Sequence, residues 1–260
     1  MADLILANFS MSTWLGIGAC AQSILFLILP RHVALLPAVI LLLLRLAKGV
    51  LITQGYIHNT YTDGAFMHKS TAPIPNDDGS IPTKAADKGL VVFILGANTN
   101  HPMGIFAPGF KDVGGFFQNM WKDAEEDSEK WGYLGKTRGM PMSTAGGNAI
   151  VSISYWKDIE HLHAFAYGPT HRLGWDWWAA QNKKYPHIGI MHETYAVPKG
   201  GWENIYQNCH PIGMAQIKYP VRESKDAVPK LVSTIMQAKG GKWRTMTSRM
   251  GGEEDEGGEY

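Results

Sequence analysis

Val151-Ser-Ile-Ser-Tyr-Trp156, Asp158 to Ala166, Gly168-Pro169, Thr170 to Lys183 and Ile188-Gly-Ile-Met-His-Glu-Thr-Tyr-Ala-Val197 decide the fold. The first piece alternates apolar and small polar residues, as a half-buried strand does. Asp158 is placed to cap a helix whose Ile159, Leu162 and Ala166 share one face. Gly168-Pro169 ends that helix, and Thr170 to Lys183 supports another that carries Trp175, Trp177 and Trp178. Ile188 to Val197 alternates again, so His192 and Glu193 must point to opposite faces of a sheet. Between Val151 and Pro211 lie six of the ten histidines in the chain, which marks this span as the place to look for a site.

Upstream, Gly89-Leu-Val-Val-Phe-Ile-Leu95 is a continuous apolar run of strand length, suited to a central strand buried on both faces. Val113, Phe116, Phe117, Met120, Trp121 and Ala124 recur at helical spacing, and Glu125-Glu126-Asp127 reads as a solvated helix end. Leu134 to Arg138 is a strand candidate, Gly139 to Gly147 is turn-rich, and a short last strand is expected near Trp202–Asn208. Strand, helix, strand, strand, broken helix, strand is the split βαβ order of the ferredoxin-like α+β fold. Helices on one face leave the other sheet face bare, and a second copy of the chain is its simplest cover. The expectation is a homodimer whose two sheets enclose a water-poor chamber lined by imidazoles and indoles.

The flanks read differently. Leu4 to Leu29 contains no charged side chain, and Val33 to Leu44, extended to Ile52, gives a second apolar run. Residues 1–52 are therefore expected to form a membrane anchor, as one span with an interfacial helix or as a hairpin. Arg45 and Lys48 put the folded domain on the cytosolic side in both topologies, with the endoplasmic reticulum as the expected membrane. Residues 53–87 look like a linker, 88–218 like the domain, and 219–260 like a mostly disordered tail ending in acidic, glycine-rich sequence. Within that tail, Ala227 to Ala238 admits one short helix. Charged residues are 18% of the chain and the formal net charge is +1, which gives no reason to expect a nucleic-acid partner. Cys20 and Cys209 make no disulfide framework.

Three groups could carry chemistry. His161 and His163, two apart on a helix, diverge by about 200° and cannot share one metal ion, whereas His171 at the start of the next helix suits a pocket. Glu193 would gain basicity if burial with Met191 and Tyr195 raised its pKa, or it could simply pair with a neighbouring cation. Phe165, Trp175, Trp178, Tyr195, Trp202 and Tyr206 are ordinary core residues or the wall of a site for a flat, lipophilic substrate. The proposed catalytic set is thus His171, Glu193, His192 and His161.

Ser154-Tyr-Trp156, Glu160-His-Leu162, Pro169-Thr-His171, Gly189-Ile-Met-His-Glu-Thr-Tyr195 and Trp202-Glu-Asn-Ile-Tyr206 resemble the fungal and bacterial monooxygenase-like family related to antibiotic-biosynthesis monooxygenases. The resemblance covers roughly Lys88 to Met214. It implies a dimeric α/β barrel of ferredoxin-like halves and oxygenation in secondary-metabolite tailoring of a polyketide or terpenoid, in some members without metal or flavin. No cofactor is expected on that basis. It also admits a haem-binding, dehydratase-type alternative, with His171 or His163 as the axial ligand, and a non-oxidative cyclase or isomerase on the same scaffold.

Overall fold

The computed structural model describes residues 6, 8–221 and 230–253. It divides into two compact units, 1–64 and 65–260.

In the first unit, α1 (Met11–Ile28) and α2 (Arg31–Thr53) are separated by Leu29-Pro30. At about 1.5 Å per residue they are about 27 Å and 34 Å long, and both are long and apolar enough to cross a membrane. Most of their side chains are exposed, a few are half-buried, and Ala34 is buried. Gln22 donates a 3.0 Å hydrogen bond to the Ala34 carbonyl, tying the two helices into a hairpin. Of the run expected from Leu4, residues 4, 5 and 7 lie outside the described residues.

The second unit is built on one antiparallel sheet. Its strands β2 (Leu90–Thr99), β3 (Tyr133–Lys136), β5 (Gly147–Trp156) and β6 (Ile188–Val197) lie in the order β3-β5-β2-β6, and β4 (Met140–Thr144) extends the β3 edge on β5. Helices α3 (Phe110–Glu126), the short α4 (Ser128–Trp131), α5 (Ile159–Ala166) and α6 (Pro169–Gln181) provide the connections. That is the ferredoxin-like topology, with β2 at the centre as its unbroken apolar run requires. β4 corrects the expectation of a plain turn over Gly139 to Gly147.

Alternation along β2 divides the core in two. Val91 and Leu95 face the helices and pack with Met120, Trp121, Trp156 and Phe165. Trp156 is fully buried, and its indole N–H donates to Ser154 Oγ at 3.0 Å, so the ring is packed with its one polar atom satisfied. Leu90, on the opposite face, packs with Leu134, Tyr155, Tyr206, Met214 and Ile217.

That second cluster overturns three expectations. Residues 65–88 are not a loose linker: Ala72, Ile74, Ala85 and Ala86 are buried, and β1 (Ser70–Thr71) pairs with β9 (Met236–Gln237). Asn204 fastens this arm, accepting from the Ala72 N–H at 2.7 Å and donating to the Ala72 carbonyl at 2.9 Å. Residues 202–208 form no regular strand, only single bridges such as Ser70 to Tyr206. Nor is the chain after 219 disordered as far as it is described. β7 (Tyr219–Val221) pairs with β8 (Lys230–Val232), and Tyr219, Ala238 and Trp243 are buried. The helix expected over Ala227 to Ala238 is replaced by strands from Lys230 onward, its first residues lying outside the described set, as does the acidic end from 254. In α7 (Met246–Arg249), Arg249 is buried and pairs with Glu203 at 2.7 Å.

Candidate active site

Strand register fixes the faces. On β2, Leu95 pairs with His192 and Phe93 with Thr194, whereas Ile94 pairs with Glu193 and Val92 with Tyr195. His192 therefore stands on the helix side, and Glu193 with Tyr195 on the other. The register thus divides the groups expected to line one chamber between the two faces of the sheet. One end of the free sheet face is sealed by the chain's own arm and by residues 206–219. The other end carries Ile94, Gly96, Met191, Glu193 and Tyr195, beside the exposed Met140 and Met142.

The helix side brings together the residues best suited to chemistry. Gly168 lets α5 pass directly into α6: a Cβ there would stand 2.9 Å from the Phe165 carbonyl and 3.1 Å from the Trp131 ring. Pro169 then opens α6 at its first position, where its missing N–H is not needed. His171 follows two residues on and lies between Phe165 and Trp175, with ring centroids 6.3 and 6.2 Å away. Burial holds its pKa below the ordinary 6.5; the Ala166 carbonyl opposes that shift and the nearby His192 reinforces it. Its place in the first turn of a helix works in the same downward sense. At neutral pH the ring is thus an uncharged base. Its Nδ1 is buried and makes no hydrogen bond among the described residues. On the same side of the sheet, the His192 and Phe93 rings lie 5.6 Å apart, centroid to centroid.

The other candidates fall elsewhere. His161 is bound to Asp158, with Nδ1 2.6 and 2.7 Å from its two carboxylate oxygens, while its own N–H bonds the same carboxylate at 2.8 Å. Partial burial raises the Asp158 pKa, but these bonds prevail and hold it below the usual range. His161 therefore completes a helix cap and reaches no cleft. His163 is exposed, on the opposite side of α5 as the 200° divergence requires. Phe165 and Tyr206 are core residues. Trp178 packs with Val113 and Tyr185 at the far end of α6, and Trp202 donates to the Lys88 carbonyl at 2.8 Å, helping to fix the arm. Tyr195 donates to Glu193 at 2.7 Å, which raises the tyrosine's pKa; both side chains are exposed. Of the expected wall, Phe165 and Trp175 flank His171.

Phe93 joins this group unannounced. Phe93 was hidden inside an unbroken apolar run, and only the β2–β6 register shows it beside His192. A cavity of about 1100 Å³ lies elsewhere, beside β3, lined by Ile74, Leu134 and Tyr219 with Glu125, Glu129 and Lys157. Among the described residues, no group of three or more His, Cys, Asp or Glu side chains is placed to hold a metal ion.

Comparison with known proteins places this geometry in context. Residues 90–214 match the family model described as "Monooxygenase af470-like". Monooxygenase af470 of Aspergillus fumigatus is 31% identical over 245 residues, spanning 94% of this chain and 88% of that protein. Two solved structures are more distant. An aldoxime dehydratase in complex with butyraldoxime is 14% identical with a TM-score of 0.35, over 54% of this chain and 34% of that one. SnoaB, a cofactor-independent oxygenase from Streptomyces nogalater, is 14% identical with a TM-score of 0.27, over 41% of this chain and 91% of its own. Identity sustained along almost the whole of both sequences assigns the chain to the monooxygenase af470-like family, and makes it an enzyme of the monooxygenase type.

Proposed function

We propose that this protein is a membrane-anchored monooxygenase that oxidises a lipophilic secondary metabolite, a polyketide or terpenoid, in the cleft between α6 and β6. One observation carries the reading: His171 is a half-buried imidazole set between the Phe165 and Trp175 rings, and burial holds its pKa below the ordinary value. A neutral imidazole in apolar surroundings is suited to remove a proton from an activated methylene beside a carbonyl or phenol ring. The C–H bond breaks, the proton goes to His171, and the substrate keeps the electron pair. That carbanion adds to O₂, forming a C–O bond, and the distal oxygen recovers the proton from the imidazolium. His171 then takes the remaining proton from the same carbon, the C=O bond forms as the O–O bond breaks, and hydroxide leaves with that proton as water, so one oxygen atom enters the product as a ketone and the other leaves as water. Phe93, Phe165 and Trp175 hold a flat substrate and limit water around the carbanion.

The two apolar helices support an anchor; on this reading it belongs in the endoplasmic reticulum membrane with the folded unit in the cytosol, the side that Arg45 and Lys48 favour. The uncovered end of the sheet, with Met140, Met142 and Met191, supports a homodimer that is narrower in contact than two bare sheets would give. The test of the reaction is to compare metabolites with and without the gene, under ¹⁸O₂. A product carrying one labelled oxygen supports it. A product with no added oxygen replaces it with the cyclase or isomerase reading.

The buried, unpartnered Nδ1 of His171 favours one alternative, a haem enzyme. His171 would supply the imidazole that holds the iron, with Phe93 and Trp175 as apolar neighbours; His163, exposed on α5, does not fit that role. The bound iron would activate O₂ or polarise a substrate heteroatom. A Soret band in detergent-purified protein, lost in His171→Ala, would establish that alternative.

A further inference from the structure

The cavity of about 1100 Å³ beside β3 is lined entirely by residues of the second unit, and neither His171 nor His192 is among them. From its lining residue Tyr133 to His171 the path runs through two packed rings. The Tyr133 ring lies 5.0 Å from Trp156, which lies 4.9 Å from Phe165, the neighbour of His171. Ile74, Leu134, Val221 and Leu231 make much of the lining apolar. Its polar part carries no net charge. Asp77 pairs with Lys88 at 3.8 Å, Glu125 with Lys136 at 4.0 Å and Glu126 with Lys122 at 3.7 Å, while Glu129 is offset by Lys157. Nothing in that balance selects an ion.

Two lining groups stand out. Tyr133 and Tyr219 are 5% and 3% exposed, and neither hydroxyl makes a hydrogen bond among the described residues. Burial raises both pKa values above the ordinary 10, with Glu125 adding to the shift at Tyr133 and Tyr155 and Tyr206 adding to it at Tyr219. Each phenol therefore keeps its proton and is a donor without an acceptor, which folded proteins avoid. Among the described residues four buried side-chain atoms lack a partner, and two of the four belong to the lining of this one cavity.

We propose that this cavity is a second ligand site, for an uncharged lipophilic molecule that presents a carbonyl or ether oxygen to the Tyr133 and Tyr219 hydroxyls. Both hydroxyl oxygens are covered by their surroundings, so the ligand reaches them through a small outward turn of the ring. The volume lies near the upper end of the range for small-molecule pockets, and an apolar lining with a few donors is their usual character. The site does not depend on the oxygenase reading.

The probe is benzophenone, an uncharged ketone that cross-links to nearby C–H bonds on irradiation, added to the full-length protein in detergent. Peptide mapping by mass spectrometry should find adducts at 74–77, 133–134 and 219–221. Fluorenone should compete severalfold better than fluorene, the same ring system without the carbonyl. Tyr133→Phe and Tyr219→Phe should each lower the adduct severalfold and narrow that preference, with Tm unchanged or raised because the lost hydroxyl had no partner. Adducts confined to other parts of the chain would overturn the proposal. So would equal competition by fluorene, adducts unaltered in both Phe variants, or a lowered Tm, which would mean that the hydroxyls serve the fold. His171→Ala should leave the mapping unchanged while abolishing turnover, so the two readings fail separately.

Discussion

The two faces of the sheet have been finished in different ways. The helix face is an aromatic core around Trp156, with His171 against Phe165 and Trp175 and the exposed His192 against Phe93. The free face is closed at one end by segments without secondary-structure periodicity, and at the other it leaves Glu193 and Tyr195 in water. Neighbouring residues on one strand thus occupy unlike environments. His192 belongs with the candidate base, and Glu193, its covalent neighbour, belongs to a surface. The strand's two-residue period alone is enough to separate a plausible acid–base pair by the full thickness of a sheet.

The sharpest test of that contrast is His171→Ala, which should lower turnover by about 10²- to 10⁴-fold, the range for loss of a general base, while leaving the far-ultraviolet circular dichroism unchanged. Next comes the seal of the free face. Glu203→Ala would strand the buried Arg249 guanidinium, whose remaining partners are the Trp243 and Arg244 carbonyls at 3.1 and 3.0 Å. Urea denaturation in detergent should show a loss of about 3–5 kcal/mol. If stability is unaltered, the C-terminal segment does not hold the arm in place.

Asp158→Ala should cost about 1 kcal/mol, the ordinary worth of an N-cap, with turnover unchanged because His161 reaches no cleft. Titration gives a further check. The folded-state pKa of His171 lies below 6.5, so its unfolded form binds more protons at mildly acidic pH. Its contribution to stability is therefore complete above pH 6.5 and is lost as pH falls through the folded value. For the same reason the acid limb of kcat/KM should sit below pH 6.5, and a limb above it would mean another group is the base. The smallest effect is expected on the opposite face, where Glu193→Gln should change turnover by no more than about threefold, as for an exposed substitution. A loss there equal to that of His171→Ala would erase the distinction between the faces.

Much of this was legible from residues alone where the pattern is local. The period of two along Ile188 to Val197 separated His192 from Glu193, and the 200° between His161 and His163 kept them from sharing a site. The unbroken run from Leu90 marked the central strand, and Gly168-Pro169 marked the break that brings His171 to the cleft. The quoted motifs also led to the family that near full-length identity supports.

What escaped was the covering of the free face. Residues 65–88 and 202–219 carry no period because they are held by particular distant partners, as Ala72 is by Asn204 across 132 residues. Periodicity reports only which side of its own element a residue takes. Sequence by itself therefore determined the order of the elements and the division of side chains between two faces. Tertiary structure decided which face meets the helices, which is sealed by the chain's own arm, and that Phe93 stands beside His192, because packing and hydrogen bonds between remote segments leave no repeat in the chain that makes them.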